Sequence, residues 1–106
     1  MLNFYDRKGK KISQQEHFDY FHDKNYRNVK QNFEGEHLIS TIWLGIENYI
    51  MNSFDKTIFE TIVFDKNGIN IYQDRYKTEE EALKGHEKAV RFVKDKLKKQ
   101  SSGNSG

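Results

Sequence analysis

The chain has no cysteine and no proline, and its seven glycines are scattered. Without cysteine there is no disulfide framework, no thiolate zinc site and no cysteine nucleophile, and the composition suits a reducing compartment. No run approaches the ~20 apolar residues of a membrane span. The opening "MLNFYDRKGKK" has charges with no apolar segment behind them, so it does not read as a signal peptide. A cytoplasmic protein is expected. Absent proline beside frequent Lys, Asn, Ile and Tyr reads as the mark of an AT-rich genome. A nucleotide-binding glycine loop, a HExxH helix and a serine nucleophile elbow are also missing.

What is present suits one domain of 106 residues, with 35% apolar, 32% charged and 14% aromatic residues. Such a chain buries one modest core, rich in Phe, Tyr and Trp, and dimerisation would help it. The net charge of +2 is unevenly spread. Residues 1–33 carry seven Lys/Arg and four acids, 34–64 one Lys and five acids, and 65–106 ten Lys/Arg and seven acids. Nucleic-acid readers usually place cations among their aromatics. Here the ends are basic and the aromatic centre is acidic, which weighs against that use.

Local signals predict the elements in turn. "FYDRKGKKI" is a short extended segment turning at Lys8-Gly9. Ser13 and Glu16 form a capping box that opens a short helix ending near Lys24-Asn25, with Phe18, Phe21 and His22 on one face. "YRNVKQNFEGEHLISTIWLGIEN" reads as two strands around Glu34-Gly35, the second apolar on both faces and hence central and covered on both sides. Asn67-Gly68 predicts a tight type I′ hairpin pairing Phe64 with Ile71, Ile62 with Gln73 and Glu60 with Arg75. From Thr78 a second capping box, with Glu81, opens a helix with Leu83, His86, Val90, Val93 and Leu97 as its stripe, widened by Ala82 and Ala89. Gly85 inside it marks a close approach by another backbone or a ring. The expected fold is α+β: an antiparallel sheet of about four strands, with a short N-terminal helix and a longer C-terminal helix packed on it. The domain is expected over 1–99, with 100–106 a disordered tail or expression remnant. Strands apolar on both faces, with few helices to cover them, also predict a homodimer.

Few residues suggest chemistry. His17 and His22 stand five apart on one helix, poor metal geometry, and His86 falls in an apolar stripe without ligand partners. The plainer reading of His86 is a half-buried histidine bonded to a carbonyl or carboxylate. Glu60 with Arg75 reads first as a cross-strand ion pair, and second as a polar pair in a cleft. Trp43 reads as core before stacking platform, and the lysines at 94, 96, 98 and 99 as a solvated helix end. No nucleophile or base has a recognisable orienting partner, so a non-catalytic binding protein without cofactor or metal is expected.

The blocks "FYDRKGKKIS", "STIWLGIEN", "IFETIVF" and "RYKTEEEALKGHEKAV", in this order, resemble a group of small proteins met in bacteriophages and prophages. The resemblance covers residues 4 to 91 and implies a setting, the bacterial host cytoplasm, with no established activity. Members of that group carry an Asp-His pair and a Gly/Pro-rich loop after "WLG". Here Glu47-Asn48 and "YIMNSFDK" stand in those places. The expectation is a phage accessory protein that binds and blocks a host factor, either by capturing a nucleotide-like signal or by covering a host protein. Its expected site is the 47–54 loop (Glu47, Asn48, Tyr49 and Phe54) with Trp43, Arg75, Tyr76 and His86. Two other readings stay open: a nucleic-acid-binding accessory protein using its basic termini, and a small structural or assembly protein.

Overall fold

A computed structural model describes residues 2–50 and 53–103, with side chains over 2–47 and 56–100. It shows an α+β fold whose centre is an antiparallel sheet of four strands. These are β3 (Asn28–Glu34), β4 (His37–Trp43), β7 (Phe59–Phe64) and β8 (Asn70–Tyr76), in the order β3-β4-β7-β8. Two small hairpins stand outside it: β1 (Phe4–Tyr5) with β2 (Lys11–Ile12), and β5 (Asn48–Ile50) with β6 (Ser53–Asp55). Helices α1 (Gln14–Phe21) and α2 (Lys24–Arg27) precede the sheet, and α3 (Glu79–Gly103) follows it. Among the described residues no helix is long and apolar enough to cross a membrane.

The Ser13–Glu16 capping box is present in full. The helix it opens stops at Phe21, and Asp23 caps a separate single turn, α2. The face α1 presents is not the expected one. Phe18 is 56% exposed and the buried residue is His17. His17 fits because its Nε2 meets the Leu44 carbonyl at 2.7 Å, while its ring lies against Phe4, Phe21 and Trp43. A polar residue with its bond satisfied can take an apolar position.

Cross-strand pairs assign the two faces of the sheet. Ile39, Thr41 and Trp43 of β4 share a face with Val63, Thr61 and Phe59 of β7 and with Tyr72, Asp74 and Tyr76 of β8. On this α3 side Ile39, Thr41, Trp43, Phe59, Thr61, Val63 and Tyr76 are buried, Tyr72 is half-buried and Asp74 is exposed. Leu38, Ser40 and Ile42 turn the other way, and they are only half-buried. Strand β4 is therefore central as expected, but covered on one side only.

Helix α3 runs through Gly103, into the stretch expected to be tail; residues 104–106 lie outside the described ones. Its N-terminus is held by Thr78 Oγ1, which accepts from the Glu81 amide at 3.1 Å. The Glu81 carboxylate reaches the Lys77 amide at 3.2 Å, one residue short of a reciprocal capping box. The buried stripe is Ala82, Gly85, His86, Ala89, Val90 and Val93, with Leu83 at its exposed edge. Gly85 explains the rotation. A Cβ there would lie 2.1–2.2 Å from the ring and hydroxyl atoms of Tyr76, so the ring packs directly on the helix backbone.

The hairpin between β7 and β8 is one residue longer than predicted. The Gly68 amide donates to the Asp65 carbonyl and the Asp65 amide to the Ile69 carbonyl, both at 2.9 Å, which leaves a three-residue loop. Such loops place a left-handed residue after a turn, here Gly68 at φ 77°. Glu60↔Arg75 and Ile62↔Gln73 pair as expected, but Phe64 meets Asn70 through a register shift. The Asp65 carboxylate accepts from the Asn67 and Ile69 amides. Asp6 does the same for the Lys8 and Lys10 amides in the β1–β2 turn, where Gly9 has φ 85°. "FYDRKGKKI" and "VFDKNGINI" are thus two copies of one turn.

Candidate functional site

The core falls into two apolar clusters under α3. One gathers Tyr5, Trp43, Ile58, Phe59, Tyr76 and Ala82, and the other Ile39, Val63, Ala89, Val90 and Val93. A line of polar side chains runs between the sheet and the helix. His86, fully buried, places Nε2 2.5 Å from Asn32 Oδ1 and Nδ1 2.7 Å from Thr41 Oγ1. An amide oxygen accepts only, so Nε2 carries the proton and Nδ1 accepts from the Thr41 hydroxyl. Thr41 in turn meets Thr61 Oγ1 at 2.5 Å. Burial, and then the Lys30 ammonium, push His86 below the ordinary histidine value, with Glu87 opposing. Tyr76 Oη lies buried without a well-formed hydrogen bond among the described residues. Burial raises its pKa, and the Thr61 hydroxyl opposes the rise.

Beyond the sheet end the chain turns into the 47–54 segment. The Leu44 and Gly45 amides both donate to the Ile58 carbonyl, the Tyr5 amide to the Gly45 carbonyl and the Glu47 amide to the Asn3 carbonyl. Gly45 is required there. It has φ 68°, and a Cβ would lie 2.3 Å from the Trp43 ring. Trp43 Nε1 donates to the Tyr5 carbonyl at 3.1 Å. The Glu47 carboxylate accepts from Tyr5 Oη at 2.5 Å and from Asn3 Nδ2 at 3.0 Å. Those two bonds, Tyr5 first, hold Glu47 below the usual carboxylate range, and the bond to Glu47, then burial, pushes the Tyr5 phenol up. The Lys56 ammonium sits 4.2 Å from the Tyr5 ring centroid. The base of the segment is therefore clamped from both sides by the N-terminal strand.

The segment itself is a hairpin, with Asn48 opposite Asp55, Tyr49 opposite Phe54 and Ile50 opposite Ser53. Its strands pair with each other and do not join the four-stranded sheet. Residues 51 and 52, and the side chains of Asn48, Tyr49 and Phe54, lie outside the described residues.

The eight expected site residues are not brought together. Trp43 and Tyr76 are core, 0% and 9% exposed, so neither ring can stack on a ligand without repacking the cluster. His86 is wholly inside the polar line, bonded to an amide oxygen and a hydroxyl. Arg75 is on the other sheet face, with Nε 3.6 Å from Glu60 Oε2. Consecutive strand residues point to opposite faces, so Arg75 and Tyr76 cannot serve one pocket. Glu47 alone has its described side chain at the hairpin base. Sequence reasoning missed its partners Asn3 and Tyr5, which no local motif marks. It also missed Thr41 and Thr61, although strand alternation puts both on the α3 face.

Beside the hairpin base is a cleft of about 680 Å³ lined by Arg7, Lys8, Lys56, Lys77 and Glu79, among others. Its lining is cationic, offset in part by Glu79. Arg7 is bonded to Glu79 at 2.7 Å, and Glu80 and Glu81 occupy the same helix end. Among the described residues no cluster of three His, Asp or Glu could hold a metal ion. No family model, curated protein or solved structure matches the chain.

Proposed function

We propose that the protein is a non-catalytic accessory protein, of the phage or prophage setting its sequence blocks suggest, that binds a host protein and blocks it. The β5–β6 hairpin is the contact element. The observation that carries this reading is the hairpin's construction: it pairs with itself outside the main sheet, on a base braced by the Tyr5–Glu47–Asn3 bonds. Binding residues commonly sit on loops held by a rigid scaffold.

Covering a host protein is favoured over capturing a nucleotide-like signal. The aromatics that would have stacked a base, Trp43 and Tyr76, are inside the core, and among the described residues no aromatic side chain lines the cationic cleft nearby. Nucleic-acid binding through basic termini also loses support. Arg7 pairs with Glu79 at one end of α3, and Leu97, near the other, lies against Gly35. At ~1.5 Å per residue these ends stand about 27 Å apart, so the two basic segments form no single stripe.

The test uses the full chain carrying a photocrosslinking residue at position 49 or, as control, at exposed Lys88, in lysate of the bacterial host. A discrete crosslinked host protein from position 49 and none from 88 is expected. Tyr49→Ala and Phe54→Ala should keep the wild-type melting temperature and lose capture. If both lose several degrees while capture per folded molecule persists, the hairpin is structural and the reading fails.

A further inference from the structure

A sheet face turned to water should carry the charged side chains of its strands. The face away from α3 does the reverse. Lys30, Glu34 and Asp74 all project on the α3 side, opposite Thr41, His37 and Thr61. The open side shows half-buried Leu38, Ile42, Ile62 and Phe64, with Phe33 69% exposed. Helices α1 and α2 reach only its corner, where Phe21 and Arg27 border a concavity of about 260 Å³ floored by Ile42, Ile62 and Phe64. Of the charged residues in the four strands, only Glu60 and Arg75 stand on this face.

We propose that this face packs on the same face of a second copy of the chain. Self-association is favoured over a different partner by charge. The face holds one acid and one base, side by side at Glu60↔Arg75 and otherwise among neutral Gln31, Ser40 and Gln73. Because Glu60 is already paired with Arg75 within each copy, two such faces meet with no net charge to repel, as an isologous interface requires. Arg75 Nε is buried and makes no hydrogen bond among the described residues, its approach to Glu60 being a long 3.6 Å. Size fits as well. Four strands ~4.8 Å apart and seven residues of ~3.4 Å give a plane of about 450 Å². Side-chain relief brings its accessible area toward the ~800 Å² per partner of a standard interface. Two faces would meet as an aligned sandwich ~10 Å thick, with each α3 on the outside.

Sedimentation equilibrium of the full chain between about 1 and 100 μM reads the outcome. A dimer is expected. Phe33→Ser, at a side chain that contributes little to the folded monomer, and Ile62→Lys should each weaken dimerisation at least tenfold while the far-ultraviolet spectrum stays the same. Arg75→Glu and Glu60→Lys should each be monomeric alone, and an equimolar mixture of the two should form a heterodimer. A wild-type monomer throughout the range overturns the proposal. So does a dimer that Phe33→Ser leaves intact, since that interface is elsewhere. If the charge variants do not fold, Phe33→Ser still decides.

Discussion

Lowering the pH from 7.5 to 5.0 is expected to weaken the fold through His86 alone among the groups that titrate there with a resolved shift. In the folded protein His86 is neutral, with Nε2–H donated to Asn32 and Nδ1 accepting from Thr41. Burial and Lys30 hold its pKa below the ordinary value. The unfolded chain binds a proton near pH 6.5 and the folded chain does so only at lower pH, so stability is full above about 6.5 and falls as pH drops. The slope is about 1.4 kcal/mol per pH unit, until the folded form itself protonates. With a urea m value of about 1 kcal/mol/M for a chain this size, one unit moves the urea midpoint down by about 1.4 M. Carboxylates do not confuse the window. Glu16, Glu47, Asp65 and Glu87 all have lowered values, so their contribution is present above about pH 4.5 and is lost only below it. Urea midpoints at half-unit steps provide the assay, with His86→Gln as the control. Glutamine can donate to Asn32 and accept from Thr41 without titrating. Its midpoint should be flat from pH 7.5 to 5.0. A His86→Gln protein that loses stability with the same slope as wild type would refute the assignment.

Other outcomes follow from single contacts. Gly68→Val should lower stability by about 1–3 kcal/mol, the cost of a β-branched residue at φ 77°; no atom stands within 4 Å of the new Cβ, so Gly68→Asn should cost much less in the same denaturation assay. Gly85→Ala normally stabilises a helix interior by ~1 kcal/mol, but here the methyl would enter the Tyr76 ring; a midpoint above wild type would show that the ring can move aside. Tyr5→Phe removes the stronger of the two bonds that lower Glu47, so the Glu47 carboxyl, followed by carbon NMR, should titrate at higher pH than in wild type.

Much of the fold was readable because local chemistry and tertiary packing agree. The capping box at Ser13, the alternation through "HLISTIW" and the register Glu60↔Arg75 rest on hydrogen bonds or side-chain parity that a few consecutive residues determine. Where the reading failed, two local solutions were nearly equal and distant residues chose between them. Residues 18, 21 and 22 and residues 17, 20 and 21 are equally good helix faces; the Leu44 carbonyl, 27 residues on, selects the second by satisfying His17. The α3 stripe was displaced in the same way, by a Tyr76 ring that only Gly85 admits.

The site was harder, and for a different reason. Chemical suitability alone groups rings to stack, an arginine for phosphate and a histidine to assist. In a chain of 106 residues with 15 aromatics and histidines beyond that, the core has to be built from those same types. Trp43, Tyr76 and His86 were drawn into it, each with its polar atom answered or pressed against backbone. Strand parity separates Arg75 from Tyr76 and dissolves that group. The same parity, applied to charge instead of to rings, points outward. It shows a sheet that keeps Lys30, Glu34 and Asp74 on its helix side and leaves Leu38, Ile42, Ile62 and Phe64 facing away. A surface that is apolar where solvent should have made it charged is a stronger sign of contact than any residue chosen for its chemistry, because burial in the monomer cannot account for it.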